Sequence, residues 1–168
     1  MPDQVFSIGH SNHSMERFVD LLRTHAIRLV CDVRSTPYSR FNPQFNRETL
    51  QAELKQHGIG YLYFGKEPGG KPREPGLPVD ETARFAMIGK TEGFQAGLER
   101  LLREARGCRV AMMCAEKDPA RCHRAHLICR HLPQGVRIHH ILADGSLLNH
   151  TDLDLKSGGD GSGQQSLL

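Results

Sequence analysis

Short apolar runs alternate with segments of helical periodicity along most of this chain, and this alternation restricts the possible folds most strongly. Apolar runs that predict strands lie at residues 5–9, 29–33, 59–64, 109–114 and 136–142. Between them, hydrophobic residues recur every three to four positions, as on one face of a helix. Strands that alternate with helices favour a parallel sheet covered by helices. We therefore predict a single three-layer α/β domain with a mainly parallel sheet of about five strands and helices on both faces.

Local capping signals support this assignment. Ser14 is a typical N-cap for a helix over residues 14–25, and Asn46 is placed to cap the next helix, which Gly58 can end. Asp118 and Pro119 predict a further helix that begins there and runs to about residue 132, because aspartate caps well and proline suits the first helical position.

The C-terminal part contains a turn signal and then a change in composition. Asp144 and Gly145 predict a tight hairpin turn into Leu147 after the fifth strand. From Ser157 the chain is polar and rich in glycine and serine. We therefore predict one domain over residues 1–150 and a flexible tail over residues 151–168.

Composition limits the classes of protein to which the chain can belong. The 168 residues suffice for one domain, and the net charge of +3 is too small to indicate a nucleic-acid partner by itself. No apolar run approaches the ~20 residues of a membrane span, and the N-terminus lacks the pattern of a secretory signal. The five cysteines are therefore expected to be reduced in a cytoplasmic protein.

Polar and ionisable residues follow the predicted strands. In parallel α/β sheets, ligands bind outside the carboxyl ends of the strands, so these residues are candidates for a common site. Those that end or follow the first, second and fourth strands are His10, Ser11, Asp32, Arg34, Tyr38, Ser39, Arg40, Cys114 and Glu116.

Cys114 ends the fourth predicted strand just before the helix predicted to begin at Asp118. A helix N-terminus lowers the pKa of a nearby thiol and favours the reactive thiolate. The layout loosely resembles the strand-end cysteine loops of rhodaneses and cysteine phosphatases, although the segment AEKDPAR is acidic and contains proline. Cys114 can equally be a small buried hydrophobic residue at the end of a core strand.

The other cysteines give weaker signals. Cys122 is either a core residue of the predicted helix or a second thiol near Cys114, as a resolving cysteine or a metal ligand. Cys31 and Cys129 lie within apolar segments and are expected to be inert.

The chain contains histidines and cysteines that could bind zinc, but their spacing matches no standard zinc motif. The candidate ligands are His10, His13, Cys114, Cys122 and His123. No Cys-x-x-Cys pair exists, and the spacing between the last two cysteines is not that of a zinc finger. His139 and His140 alternate on a strand, so at most one of them faces any site. We predict no metal and no cofactor.

Two loops supply basic groups for binding an anion. Arg34 and Arg40 alternate with Tyr38 and two phenylalanines, a combination that suits phosphates and stacked bases, unless the phenylalanines merely anchor the loop to the core. Residues 65–81 hold four prolines and four glycines. This segment matches the start of a P-loop motif, but it lacks the serine or threonine that follows the lysine in that motif, and it lacks the helix that follows. We interpret it as a mobile lid whose basic residues include Lys66, Lys71 and Arg73.

Four segments taken together resemble the domain-of-unknown-function family 488: IGHS at 8–11, DVR at 32–34, PYSRFNPQF at 37–45 and MCAEKDPARCHR at 113–124. The resemblance covers about residues 5–142 and implies a compact α/β domain with cytoplasmic bacterial relatives, but no reaction. The site residues that it implies are His10, Ser11, Asp32, Arg34, Ser39, Arg40, Cys114, Glu116, Cys122, His123 and Arg124.

The leading hypothesis is an enzyme with a thiol-centred site that acts on a phosphorylated or otherwise anionic substrate. Cys114 would be the nucleophile or redox thiol, with His10 or His123 as its base or proton donor. Asp32 would orient the arginines that hold the substrate, which are Arg34, Arg40 and Arg124.

Two other functions are compatible with the same residues. A non-catalytic module that binds nucleotides or nucleic acid would use the same arginines with Tyr38 and the basic lid, and would need no reactive cysteine. A metal-dependent hydrolase is the third hypothesis. In each case we expect no membrane partner, and the oligomeric state stays open.

Overall fold

The structure is a computed structural model that describes residues 3–34, 36–65, 87–122 and 127–153. Its strands are β1 (Gln4–Gly9), β2 (Leu29–Asp32), β3 (Gly60–Tyr63), β4 (Val110–Cys114), β5 (Arg137–Ile141) and β6 (Leu147–Asn149). They form one sheet in the order β3-β2-β4-β1-β5-β6. The first five strands are parallel, and β6 is antiparallel to β5. The predicted mainly parallel sheet with a C-terminal hairpin is therefore confirmed.

Helices cover both faces of the sheet. They are α1 (Met15–Thr24), α2 (Arg47–Gln56), α3 (Glu92–Gly107) and the single turn α4 (Cys129–His131). The apolar side chains of α1 and α2 pack with one set of strand residues, which we call the α1–α2 cluster. Those of α3 and α4 pack with the alternate strand residues, which we call the α3 cluster. The three-layer α/β class predicted from the sequence is confirmed.

The helix boundaries near the N-terminus follow the predicted caps with one difference. The Ser14 side chain accepts a hydrogen bond from the Arg17 amide at 3.1 Å, as an N-cap does. Asn46 precedes α2 but makes no capping hydrogen bond. Its side-chain oxygen instead accepts from the Ser39 amide at 2.7 Å, so it holds the preceding loop. Gly58 follows α2 with φ +73°, the left-handed conformation that glycine adopts readily.

The long helix predicted from Asp118 to about residue 132 is wrong. Asp118 caps only a 3₁₀ turn over Pro119–Arg121, through a hydrogen bond to the Ala120 amide. Cys122 then adopts an extended conformation, with φ −110° and ψ 142°. Its side chain is buried all the same, so the apolar periodicity predicted burial correctly but not the backbone that achieves it.

The C-terminal hairpin turns at Asp144 and Gly145, as predicted. The Asp144 carboxylate accepts from the Ser146 amide at 2.9 Å, and Gly145 has φ +92°. Residues 151–153 belong to the predicted tail, yet they are helical and Leu153 is buried. The rest of that tail lies outside the described residues. No helix within the described ranges is both long and apolar enough to cross a membrane.

Candidate functional site

The sheet changes its direction of winding between β2 and β4. These strands are neighbours, but β2 leads through α2 to β3 on one side, whereas β4 leads back across β1 to β5. The two connections run over opposite faces of the sheet. In open α/β sheets, a crevice forms at such a point, outside the carboxyl ends of the strands, and ligands bind there. The residues after Asp32 and Cys114 therefore border the candidate site.

Backbone hydrogen bonds bring the ends of β1, β2 and β4 together. The His10 amide donates to the Cys114 carbonyl at 2.8 Å, and the Ser11 amide donates to the Ala115 carbonyl at 3.0 Å. On the other side of β4, the Val33 amide donates to the Met113 carbonyl at 3.0 Å. The segments that follow three distant strands therefore share one edge of the sheet.

Gly9 allows the loop after β4 to lie close to the end of β1. A Cβ atom at Gly9 would lie only 1.8 Å from the carbonyl oxygen of Glu116. Backbone cannot move aside as a flexible side chain does, so this close approach requires glycine. The Glu116 side chain itself is exposed, and its contribution to the edge is this backbone oxygen.

We expect Gly9→Ala to lower the free energy of unfolding by roughly 1–3 kcal/mol, the usual cost of overpacking, because the new methyl group must displace the Glu116 backbone. Urea denaturation measures this loss. Gly93→Ala is the matched control, since a Cβ there meets nothing within 4 Å. Equal stabilities of the two variants would contradict the close approach.

Asp32 is the centre of a buried polar network at this edge. Its carboxylate is fully buried and accepts two hydrogen bonds from the guanidinium of Arg34, from Nε at 2.9 Å and from Nη2 at 2.7 Å. The Tyr61 hydroxyl donates to the same carboxylate at 2.6 Å. Burial, and then the charge of Asp32, raise the pKa of Tyr61, so the phenol keeps the proton that it donates.

Most N–H groups of the Arg34 guanidinium donate hydrogen bonds within the protein. In addition to Asp32, its Nη2 donates to the Phe45 carbonyl at 2.8 Å, and its Nη1 lies 3.3 Å from His10 Nε2. Four of its five N–H groups thus have partners within the described residues, which leaves one on Nη1. Arg34 is only 6% exposed, so it is first a fixed cation of the framework.

His10 is held as a neutral imidazole. Its Nδ1 lies 2.8 Å from the Ser11 carbonyl oxygen, which can only accept, so Nδ1 carries the hydrogen. Nε2 is then the acceptor that faces Arg34. Burial lowers the pKa of His10 to about 4, with the Arg34 charge acting in the same direction. The ring stacks on Phe45 with 4.5 Å between centroids. His10 is therefore uncharged at neutral pH.

The two candidate thiols lie on the other side of the sheet. Phe45, on which His10 stacks, belongs to the α1–α2 cluster, whereas Cys114 and Cys122 belong to the α3 cluster. Cys114 is 2% exposed, and its Sγ lies 3.8 Å from the Glu116 carbonyl oxygen, to which only a protonated thiol can donate. The helix that was expected to favour a thiolate is a single 3₁₀ turn. The chemical roles of both cysteines stay predictions.

The loop after β2 is anchored to the core at its C-terminal end, whereas its middle is exposed. Phe45 is fully buried, whereas Phe41 is 85% exposed, so only the first anchors the loop. Tyr38 is half exposed and donates its hydroxyl to Glu48 at 2.8 Å. Ser39 accepts from the Asn42 amide through its hydroxyl at 2.9 Å, which makes it a loop-shaping residue.

The remaining predicted site residues divide into two groups. Arg40 is exposed on the loop just described, and the Ser11 side chain lies at the edge, where it donates to Asn12 at 3.4 Å. The other group lies outside the described part of the chain and comprises the basic residues of the predicted lid and the two predicted site residues after Cys122: Lys66, Lys71, Arg73, His123 and Arg124.

Comparison with protein families matches residues 14–130 to the family described as Domain of unknown function DUF488. The match covers more than half of the chain and includes Asp32, Arg34 and Cys114. No curated protein and no solved structure matches the chain. On the strength of this match, the chain belongs to the DUF488 family.

Proposed function

We propose that this protein is an enzyme that binds an anionic substrate, such as a phosphorylated compound, at the sheet edge between β2 and β4. The observation that carries the proposal is the contact between Arg34 Nη1 and His10 Nε2 at 3.3 Å. It places a fixed guanidinium with one remaining N–H beside a neutral imidazole. A charged donor next to a proton acceptor is a combination that catalytic sites use.

The charges around the edge support an anionic ligand. Asp32 offsets the charge of Arg34, so the excess of positive charge has to come from other groups. His13 follows β1, and its pKa is lowered by burial and then by the nearby charges of Arg17 and Lys117. Lys117 follows β4 and is exposed. Two cations therefore lie close to His13 at the same edge, where their field attracts anions.

His10 is the group to which we assign proton transfer. An anion bonded to the remaining N–H of Arg34 Nη1 would lie next to His10 Nε2, because these two nitrogen atoms are in contact. The Ser11 carbonyl holds the proton on Nδ1, which leaves the lone pair on the side that faces Arg34. The Cys114 thiol faces the other cluster, so the proposed site no longer centres on it.

Anion binding is tested by the melting temperature in phosphate, sulfate and nucleotides. We expect phosphate to raise the melting temperature of the wild-type protein, and sodium chloride to reduce that increase. Lys117→Ala is expected to lose much of the response, because it removes an exposed cation beside His13. Arg103→Ala, which removes an exposed cation on α3, is the matched control and is expected to respond as the wild type does.

Compounds that bind in this way are then tested for turnover with the wild-type protein and with His10→Gln. Loss of turnover with retained binding would support His10 as the proton-transfer group. If no anion raises the melting temperature of the wild-type protein, the proposal of an anionic substrate is wrong. It is also wrong if phosphate raises the melting temperatures of Lys117→Ala and Arg103→Ala equally.

A nucleic-acid-binding function is a second candidate because one loop exposes aromatic and basic groups together. Phe41 is 85% exposed, Tyr38 is half exposed and Arg40 is exposed beside them. Bases stack on exposed rings, and arginine contacts phosphates. If this function is correct, Phe41→Ala weakens the binding of a short single-stranded oligonucleotide but leaves the phosphate response unchanged.

A further inference from the structure

Three buried side chains that can each bind a metal lie close together on the α3 side of the sheet. They are Cys129 in α4, His140 in β5 and His150 directly after β6. One ligand atom of each lies within 4.8 Å of the others. All three residues are buried, and His140 is fully so. A single metal ion placed among these ligand atoms could bind all three of them.

We propose that Cys129, His140 and His150 form a zinc-binding site. The ring nitrogens that face each other are His140 Nε2 and His150 Nδ1, which lie 2.9 Å apart. Two nitrogen ligands of a tetrahedral zinc ion lie about 3.3 Å apart, given Zn–N bonds of about 2.0–2.1 Å. The two rings therefore need to separate by only a few tenths of an ångström to admit the ion between them.

A hydrogen bond behind His140 favours the orientation that a ligand requires. Ser7 lies on β1 opposite His140, and its hydroxyl oxygen is 2.5 Å from His140 Nδ1. When Nδ1–H donates to Ser7, the lone pair of Nε2 faces the cluster. Histidine ligands of metals almost always donate their other N–H in this way, which fixes the ring and its tautomer.

The ligand types select the ion. One thiolate and two imidazoles suit zinc, and cobalt(II) can take its place as a spectroscopic probe. Binding requires Cys129 to lose its proton to solvent. It also requires His150 to carry its ring proton on Nε2 instead of on Nδ1, where that proton bridges the two rings. The three ligand atoms leave the fourth tetrahedral position to water or a small anion. Because β5 lies beyond β1 from the β2–β4 edge, this site is separate from the proposed anion site.

The site would connect the C-terminal hairpin to the core. Its ligands come from three elements that are separated in sequence, with α4 before β5 and His150 after the hairpin. An ion that binds only the folded chain adds its binding free energy to the stability of that chain. We therefore expect zinc to raise the melting temperature, and a chelator to reverse the increase.

The test measures metal content and cobalt binding in the full-length chain without an affinity tag. We expect zinc in protein purified without chelator, by mass spectrometry of the metal. After chelation and dialysis, Co²⁺ is expected to bind with one ion per chain and to give an intense near-ultraviolet band, because a thiolate transfers charge to the metal. The band shows that a cysteine thiolate binds the Co²⁺ ion, which binding to exposed histidines alone would not produce.

Two variants test the ligands, and each has a matched control. Cys129→Ser is expected to lose the band, and His150→Gln is expected to weaken Co²⁺ binding by more than the roughly 10- to 100-fold that loss of an outer hydrogen-bond partner costs. Cys108→Ser and His139→Gln are the matched controls. Cys108 is half-buried, and His139 packs against Phe6 on the opposite face of the sheet.

Wild-type protein that binds Co²⁺ without the charge-transfer band would overturn the proposal, whatever the variants do. A band that survives in Cys129→Ser would overturn it as well. If Cys129→Ser does not fold, the wild-type spectrum and the His150→Gln titration decide, since neither depends on that variant.

Discussion

Replacing Asp32 by asparagine is expected to lower the free energy of unfolding by roughly 3–5 kcal/mol, as the loss of one partner of a buried ion pair does. Asp32 is fully buried and Arg34 is 6% exposed, so the guanidinium would keep its charge in a place that water barely reaches. Both hydrogen bonds of the bidentate pair, at 2.7 and 2.9 Å, would lose their charged acceptor. Urea denaturation at neutral pH measures the effect.

Tyr61→Phe is the control for this prediction. It removes only the hydroxyl that donates to Asp32 at 2.6 Å, and the expected loss is the roughly 1.5–3 kcal/mol of a hydrogen bond to a charged group. Asp32→Asn combined with Arg34→Met is expected to recover part of the stability, because the unpaired charge is then gone. If Asp32→Asn is no less stable than Tyr61→Phe, the charge of Arg34 is not buried in the way described.

The strands and the first helices could be predicted because their signals are local. Apolar runs form strands whose two faces are both covered, and Ser14 caps α1 through a residue three positions away. The helix predicted after Asp118 shows the limit of such reasoning. A cap specifies where a helical turn begins, but the packing of the following residues against the core decides how long it continues.

The candidate edge could be anticipated, but the partners within it could not. The alternation of side chains predicts that Met113 and Cys114 face opposite sides of the sheet, yet it does not say on which side His10 will lie. The structure places the His10 ring against Phe45, away from the cluster that contains Cys114. The thiol and the imidazole therefore belong to different faces of the sheet.

Contacts between distant strands were missed for the same reason. Tyr61 reaches Asp32 because β3 lies beside β2, and the sequence contains no signal for that neighbour. Cys129 was expected to be inert because its own segment is apolar. Its position beside His140 and His150 depends on the hairpin and on the order of the strands. The spacing of residues along the chain predicts neither the strand order nor which residues the hairpin brings beside Cys129.

The stability of the wild-type protein is expected to fall on acidification partly because His10 is buried as a neutral ring. Its folded pKa of about 4 lies below the ordinary 6.5, so the unfolded chain binds the proton first. The contribution of His10 is therefore fully present above about pH 6.5 and is lost as the pH falls toward the folded pKa. Between about pH 7 and pH 5, the linkage predicts a loss of about 2 kcal/mol from this residue alone.

His10→Gln isolates this effect, because glutamine has no titrating group and its amide oxygen can still accept from Arg34 Nη1. We expect the wild type to lose about 2 kcal/mol more than His10→Gln over the same pH interval, in urea denaturation curves recorded at each pH. His13→Gln is the matched control. Its pKa is also lowered, but the residue is only half-buried, and its removal is expected to flatten the profile less. Parallel profiles for the wild type and His10→Gln would mean that His10 binds its proton at the same pH in the fold as in the unfolded chain. The buried neutral ring, on which its proposed role as a proton acceptor rests, would then be wrong.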